Sequence, residues 1–354
     1  MPICSQDYTQ PLKAVNESKW MRLALEEGEK GVGLTAPNPS VGAVLVKENK
    51  IIGRGYHHGV GKPHAEIKAI ADCRAAGFDP TGATAYITLE PCSTTGRTPP
   101  CTQALIKNQV NRVVWAADDP NPVHQGAAHE ILSSAGLEVE SGLLKKEAEY
   151  LHRGFFKVQR QGLPWVIVKT AMSLDGRITR PLGEGQWLTG EEARKDVQMI
   201  RGEVDAILTS GETARKDNPR LDYRGTRLEK KQPQRLVYSH HSYADLPKHF
   251  HLLRNNESSS TQFLKGDLKE NLQQLAEKGI QTILVEAGGN FVGQLLDLNL
   301  VDEWITYLAP LVTGGDVPAV GGIGITELKD RPRLENLTYQ QFGSDIRIRG
   351  ILKK

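Results

Sequence analysis

Twice along this chain, short β-rich runs alternate with segments of helical pattern, which admits little besides layered α/β units built around a sheet. In the first half, Ser18 is placed to cap a helix carrying Trp20, Met21, Leu23, Ala24 and Leu25 and ending near Gly31. After Pro37-Asn38-Pro39, the β-rich runs 41–46 and 51–56 flank a polar 47–50, a hairpin signal. Residues 64–76 read as a helix stopped at Gly77, 84–89 as a strand, 102–107 as a helix and 112–117 as a strand. The second half repeats the alternation, with strands at 165–171, 206–209, 235–238, 282–286 and 304–308 and helices at 191–200 and 290–298. Between the halves lies the polar stretch 159–164 with Gly162 and Pro164, so two domains are expected, 16–158 and 164–354. A length of 354 residues suits that, since one domain usually takes roughly 100–200. The Asn- and Ser-rich 255–261 reads as an exposed loop.

Composition removes several classes of function. Forty-four Lys plus Arg against 42 Asp plus Glu leave a formal charge of +2, and aromatics make up 6%. That balance gives no basic surface for nucleic acid or anionic lipid. The first twenty residues carry Gln6, Asp7, Gln10, Lys13, Asn16, Glu17 and Lys19, which interrupt any secretory core, and no run of about 18 apolar residues occurs. A cytoplasmic protein without membrane segments is expected. Four cysteines, Cys4, Cys73, Cys92 and Cys101, are too few for a disulfide framework and suit reduced thiols. Nothing decides the oligomeric state, which leaves a homo-oligomer open.

The most chemical pattern is His64-Ala65-Glu66, then Pro91-Cys92, then Cys101 after eight intervening residues. One His and two Cys make up the three protein ligands of a catalytic zinc site, with the fourth position open. Glu66, two residues from His64 at a helix start, brings a carboxylate beside the metal as a proton carrier instead of a ligand. Zinc nucleobase deaminases carry His-x-Glu followed by Pro-Cys-x-x-Cys, and here the second gap is longer. Taken singly, each cysteine would be a small buried hydrophobe and His64 an ordinary histidine. Their order and their helix starts favour zinc. A purely structural site would want a fourth ligand, and Cys73, nine residues beyond His64, lies about 180° round the helix.

With Thr35-Ala36-Pro37-Asn38-Pro39-Ser40-Val41-Gly42, Gly55-Tyr56-His57, Pro63-His64-Ala65-Glu66, Thr88-Leu89-Glu90-Pro91-Cys92-Ser93, Gly96-Arg97-Thr98-Pro99-Pro100-Cys101 and Asp119-Pro120-Asn121-Pro122, the chain resembles the bifunctional riboflavin-biosynthesis deaminase-reductases. The longer gap is that family's own variant. The resemblance implies a cytidine deaminase-like first domain acting on a diamino-pyrimidinone that bears a ribosylamino 5-phosphate. It also implies that Asn38 and His57 face the pyrimidine. In this half two positions depart from the family: Thr94 stands where a His is common, and His152 where Asn is frequent. Thr cannot exchange a proton near neutral pH as imidazole can, but the metal set is untouched, so deamination is expected to survive. A nucleic-acid deaminase would share the triad but want a basic, aromatic-rich surface. A zinc-binding protein that has lost turnover through Thr94 is the other rival.

In the second half, Lys169 to Ile178 closes a strand and enters a Gly-bearing loop, which backbone geometry alone could explain. The strand, glycines and helix start across 283–290 suit either an anionic group such as a dinucleotide phosphate or a turn that needs glycine. The family resemblance extends over this half and implies a dihydrofolate reductase-like fold using NADPH. It places the cofactor along Ala171, Trp187, Thr213, Asp217, Ser239 and the run Gly288, Gly289, Asn290, Phe291, Val292, Gly293 and Gln294. It places substrate at Lys169, Gly185, Arg201, Leu221, Arg224 and Glu286. Two arginines would suit a 5-phosphate through paired charge-assisted hydrogen bonds, although an unplaced Arg is ordinarily a solvated surface charge. Gly185 replaces a serine often found there, leaving only backbone to contribute.

Overall fold

Neighbouring residues of each central strand in the first half are buried on opposite sides, which requires helices on both faces of one sheet. The structure, a computed structural model, describes residues 12–94, 99–121, 125–178, 187–226, 231–240, 250–254, 261–324, 327 and 332–353, with side chains from residue 17. It divides into two compact units, Met1–Arg160 and Gln161–Lys354. Among the described residues no helix is long and apolar enough to cross a membrane.

The first unit runs α1 (Leu12–Gly31), β1 (Gly42–Lys47), β2 (Lys50–Tyr56), α2 (Ala65–Ala75), β3 (Thr84–Leu89), α3 (Cys101–Lys107), β4 (Arg112–Ala117), α4 (Ala127–Ser134), β5 (Glu138–Ser141), α5 (Lys145–Leu151) and α6 (Arg153–Gln161). Its sheet has the order β2-β1-β3-β4-β5. The first three strands are antiparallel, and β3, β4 and β5 are parallel. Glu48 and Asn49 both take positive φ, 51° and 58°, the two-residue turn whose twist suits a tight hairpin. Ala43, Leu45, Ile87 and Trp115 face α2, α3 and α4, while Val44, Val46, Tyr86 and Val114 face α1, α5 and α6. The helix expected from Ser18 begins six residues earlier at Leu12, because nothing between Pro11 and Ser18 interrupts it. Ser18 is therefore interior to the helix. The polar stretch expected as a linker belongs in part to α6, which continues to Gln161.

The second unit runs β6 (Trp165–Ser173), α7 (Glu191–Arg201), β7 (Ala206–Ser210), α8 (Gly211–Asp217), β8 (Gln234–Tyr238), β9 (Thr261–Leu264), α9 (Leu268–Glu277), β10 (Thr282–Val285), α10 (Gly289–Asp297), β11 (Glu303–Ala309), β12 (Arg333–Phe342) and β13 (Asp345–Lys353). Its eight-stranded sheet has the order β12-β13-β11-β6-β10-β7-β8-β9. From β11 to β9 the strands are parallel, and β13 and β12 continue antiparallel beyond β11. Of the loop expected at 255–261, residues 255–260 lie outside the described residues and Thr261 opens β9.

His152, at the end of α5, is 2% exposed, with Nε2 3.1 Å from Thr88 Oγ1 and Nδ1 buried without a hydrogen-bond partner. Burial lowers its pKa from 6.5 to about 3, against the opposing bond to Thr88. Between those values the unfolded chain binds a proton there and the folded chain does not, so stability rises with pH across that window. The first unit should therefore lose stability as pH falls below 6.5, by up to about 1.4 kcal/mol per pH unit from this side chain. Urea unfolding from pH 7 to 5 should show a shallower loss for His152→Asn than for the parent chain, and equal slopes would refute the assignment.

Candidate active site

Three separate pieces of the first unit deliver the metal-ligand set. His64 is the N-cap of α2, Cys92 follows β3, and Cys101 is the first residue of α3. Nδ1 of His64 lies 3.5 Å from Cys92 Sγ and 3.3 Å from Cys101 Sγ, and all three ligand atoms fall within 4.8 Å of one another. Tetrahedral zinc at about 2.3 Å from sulfur and about 2.0 Å from nitrogen needs its ligand atoms roughly 3.5–3.8 Å apart, so the set fits zinc with small adjustments. The Cys101 N–H donates to Cys92 Sγ at 3.3 Å. Hydrogen bonds from the Cys101 side chain and His64 hold the Cys92 thiol far below its ordinary value, against the effect of burial. Cys101 is pushed the other way by its bond to Cys92 and by burial. The bond with Cys92 raises the His64 imidazole more than burial lowers it. Cys73 sits in the core among α2 and the sheet, away from this set.

Glu66 is in the first turn of α2 and 4% exposed. Burial raises its pKa, the Cys92 charge adds to that, and His64 opposes it. His57 stands edge-on to His64 with ring centroids 5.3 Å apart. Its Nδ1 lies 3.2 Å from the Pro63 carbonyl, which can only accept, so Nδ1 carries the proton and Nε2 accepts from Asn38 Nδ2 at 3.0 Å. Burial lowers the His57 pKa, keeping the ring neutral. Asn38, His57, His64, Glu66, Cys92 and Cys101 are thus linked into one neighbourhood. Residues 95–98 and 122 of the sequence motifs, and Cys4, lie outside the described residues.

In the second unit, Lys169 on β6, Arg201 at the end of α7 and Glu286 just beyond β10 converge. Arg201 donates from Nε to Glu286 Oε1 at 2.7 Å and from Nη2 to Oε2 at 3.1 Å, and Lys169 Nζ reaches Oε2 at 3.3 Å. Burial would raise the Glu286 pKa, but Arg201 and Lys169 together bring it down to about 2. Arg201 Nη1 donates to the Asp222 carbonyl at 3.2 Å, in the loop that carries buried Leu221 at φ 49° and exposed Arg224. The guanidinium expected to share a phosphate is therefore already matched by a carboxylate, and Arg224, more exposed, has its Nε 3.4 Å from Asp222 Oδ1. Gly185 lies outside the described residues.

Among the residues expected at the cofactor, Thr213 and Gly288 meet directly, the Gly288 N–H donating to Thr213 Oγ1 at 3.0 Å across the ends of adjacent β7 and β10. Ser239 packs against the same turn: a Cβ on Gly211 would lie 2.5 Å from its Oγ. Ala171 is half-buried on β6, and Asp217 is exposed at the end of α8. Trp187 is exposed under the Arg194 guanidinium, 5.8 Å away, with no contact tying it to the Thr213 group among the described residues. Within 288–294, Phe291 and Val292 face the core. A Cβ on Gly289 would lie 2.3 Å from the Pro318 carbonyl oxygen, and one on Gly293 2.2 Å from Gly321. Close packing by their own chain thus explains those two glycines, leaving Gly288, Asn290 and Gln294 facing outward. The turn at 173–177 has a similar role: Asp175 accepts from the N–H groups of Thr313 and Gly314 at 3.2 and 2.8 Å. Sequence reasoning passed over Glu90, a buried carboxylate directly before Pro91-Cys92, for which a buried position in that motif is the one available signal.

Comparison with known proteins agrees with this geometry. Residues 14–117 match the cytidine and deoxycytidylate deaminase zinc-binding region, and 164–348 match the RibD C-terminal domain. The chain is 39% identical to riboflavin biosynthesis protein RibD of Escherichia coli, over 94% of this chain and 98% of that one. It is 40% identical to RibD of Haemophilus influenzae, over 93% and 95%. The solved structure of Acinetobacter baumannii RibD superposes with a TM-score of 0.86 at 36% identity, covering 96% of this chain and all (100%) of that one. A Thermotoga maritima diaminohydroxyphosphoribosylaminopyrimidine deaminase/5-amino-6-(5-phosphoribosylamino)uracil reductase gives 0.86 at 29%, again over 96% and 100%. With a zinc-binding, cytidine deaminase-like unit followed by a dihydrofolate reductase-like one, the chain belongs to the RibD family of bifunctional deaminase-reductases of riboflavin biosynthesis.

Proposed function

We propose that residues 16–158 deaminate 2,5-diamino-6-(5-phosphoribosylamino)pyrimidin-4(3H)-one and that 164–354 then reduce 5-amino-6-(5-phosphoribosylamino)uracil to its ribitylamino form. The observation that carries this is the three-ligand cluster of His64, Cys92 and Cys101 with Glu66 buried beside it. When bound, zinc supplies the Lewis acidity that makes water acidic enough to attack near neutral pH. Glu66 takes the proton of the attacking water and returns it to the departing ammonia. Asn38 and His57 orient the pyrimidine, the neutral His57 ring fixing the Asn38 amide. Thr94 offers no proton exchange, and none is required of it.

In the second unit NADPH supplies the hydride, and the protein contributes orientation. Thr213, Gly288, Asn290, Gln294, Ala171 and Ser239 receive the cofactor, and Arg224 meets the 5-phosphate. Lys169, held by Glu286, would hydrogen-bond the opened sugar and orient its anomeric carbon for reduction. Small phosphorylated pyrimidines are the partners; the charge of +2 and 6% aromatics speak against nucleic acid, and the reduced-thiol composition supports a cytoplasmic setting.

Mass spectrometry of the diamino-pyrimidinone after incubation should show a gain of about one mass unit without NADPH and about two more with it. Absence of the first gain in zinc-loaded protein would establish the non-catalytic alternative. Glu66→Gln should lower deaminase kcat/KM by at least about 100-fold while zinc content and reduction of the deaminated intermediate stay unchanged. Glu286→Gln removes the counter-charge of two largely buried cations and should destabilise the second unit by about 3 kcal/mol, read by denaturant unfolding. Because its folded pKa lies below the ordinary 4.5, this stabilisation is present above pH 4.5 and lost as pH falls toward about 2.

A further inference from the structure

Glu90 joins the two loops that leave the adjacent parallel strands β3 and β4. It is 4% exposed, and its N–H donates to the Ala117 carbonyl at the end of β4, at 2.9 Å. Its carboxylate continues into the next loop: Oε2 accepts from the N–H groups of Asp119 and Gly126, each at 3.2 Å, and Oε1 from that of Ala128 at 3.2 Å. From there order is handed on, since Asp119 Oδ1 accepts from the Asn121 N–H at 2.9 Å and the Asn121 carbonyl from the Gln125 N–H at 3.0 Å. Three donors converging on one group call for an acceptor-only carboxylate; a Gln in its place would turn an NH2 toward N–H.

Ligands of open α/β sheets settle outside the carboxyl ends of parallel strands. There, one strand carries the metal ligand Cys92 two residues past Glu90, and its neighbour carries Asp119 and Asn121. We infer that Glu90 is a positioning residue of the deaminase site, holding the Asp119–Asn121 segment beside the metal loop as a wall against which the pyrimidine binds. The inference rests on the deaminase reading above. Capping of α4 through Ala128 and the N-cap Gly126 is part of the same contact, but Oε2 also accepts from Asp119, well ahead of the helix.

The test uses the full zinc-loaded chain and the phosphoribosyl diamino-pyrimidinone. Glu90→Gln should raise the deaminase KM by at least about tenfold with a much smaller change in kcat, while zinc content and reductase turnover match the parent. Asp119→Ala, which removes the acceptor of the Asn121 N–H while leaving Glu90 in place, should shift KM in the same direction, and it decides the matter if Glu90→Gln does not fold. An unchanged KM in either folded variant overturns the inference. So does a deaminase loss that merely follows lost zinc or a parallel fall of both activities. Failure of the parent chain to deaminate would instead overturn the deaminase reading, so the two failures are distinguishable.

Discussion

For His64, Cys92 and Cys101 to share one ion, two helix starts and a strand end must meet within 4.8 Å, and much of the first unit follows from that requirement. The helix bearing His64 has to lie against the sheet with little room for adjustment. A Cβ on Gly55 would sit 2.4 Å from the Ala65 carbonyl oxygen, and one on Gly53 would sit 2.3 Å from that of Ala69, so α2 rests on the backbone of β2. Any larger residue at Gly53 or Gly55 would lift the helix and His64 with it. Cys101 and Cys92 are fixed against each other: the Cys101 N–H bonds to Cys92 Sγ, while the Thr102 N–H bonds to the Cys92 carbonyl at 3.3 Å. The histidine is thus placed by the packing of α2 on β2 and the two cysteines by their mutual backbone contacts, which together preorganise the set.

The second unit meets a different demand, that of keeping a lysine and a glutamate charged in a mostly buried place. Lys169 alone there would be costly, and Glu286 alone equally so. Arg201 resolves the pair by gripping Glu286 with two parallel bonds and leaving the Lys169 ammonium attached to one oxygen at 3.3 Å. The chain between β11 and β12 then closes over the glycines of α10 and is held from the other side by Asp175. The motifs flanking the expected cofactor site are in good part motifs of chain packing, and the ligand-facing groups are the few left between them.

How much of this was legible in the sequence depends on where the determining contacts lie. Strands β3 and β4 are legible to the residue because both are largely apolar runs buried on two faces. Strands β12 and β13 were not, since β12 is exposed along nearly its whole length and carries no apolar period. Helix α9 was missed although Asp267, whose side chain accepts from the Glu270 N–H, and the spacing of Leu268, Leu272 and Leu275 announce it. The metal triad was legible because its residue types are rare in that order. How the two arginines are paired was not: Arg201 meets its carboxylate 85 residues away, whereas Arg224 lies 3.4 Å from that of Asp222, its near neighbour in sequence.

Three glutamates make the general point. Glu66 and Glu90 are buried and Glu286 is mostly so, its side chain 11% exposed, yet their surroundings differ. Glu66 is opposed by the charge of Cys92 and only partly relieved by His64, so burial dominates and its proton affinity rises, as a proton carrier needs. Glu286 lies between a guanidinium and an ammonium, whose combined attraction outweighs burial, so it stays ionised and serves as a fixed counter-charge. Among the described residues, the hydrogen-bond partners of the Glu90 carboxylate are backbone N–H groups, so its contribution is one of direction. What a buried carboxylate does is decided by the number and kind of donors aimed at it, and in this chain those donors come from residues distant in sequence.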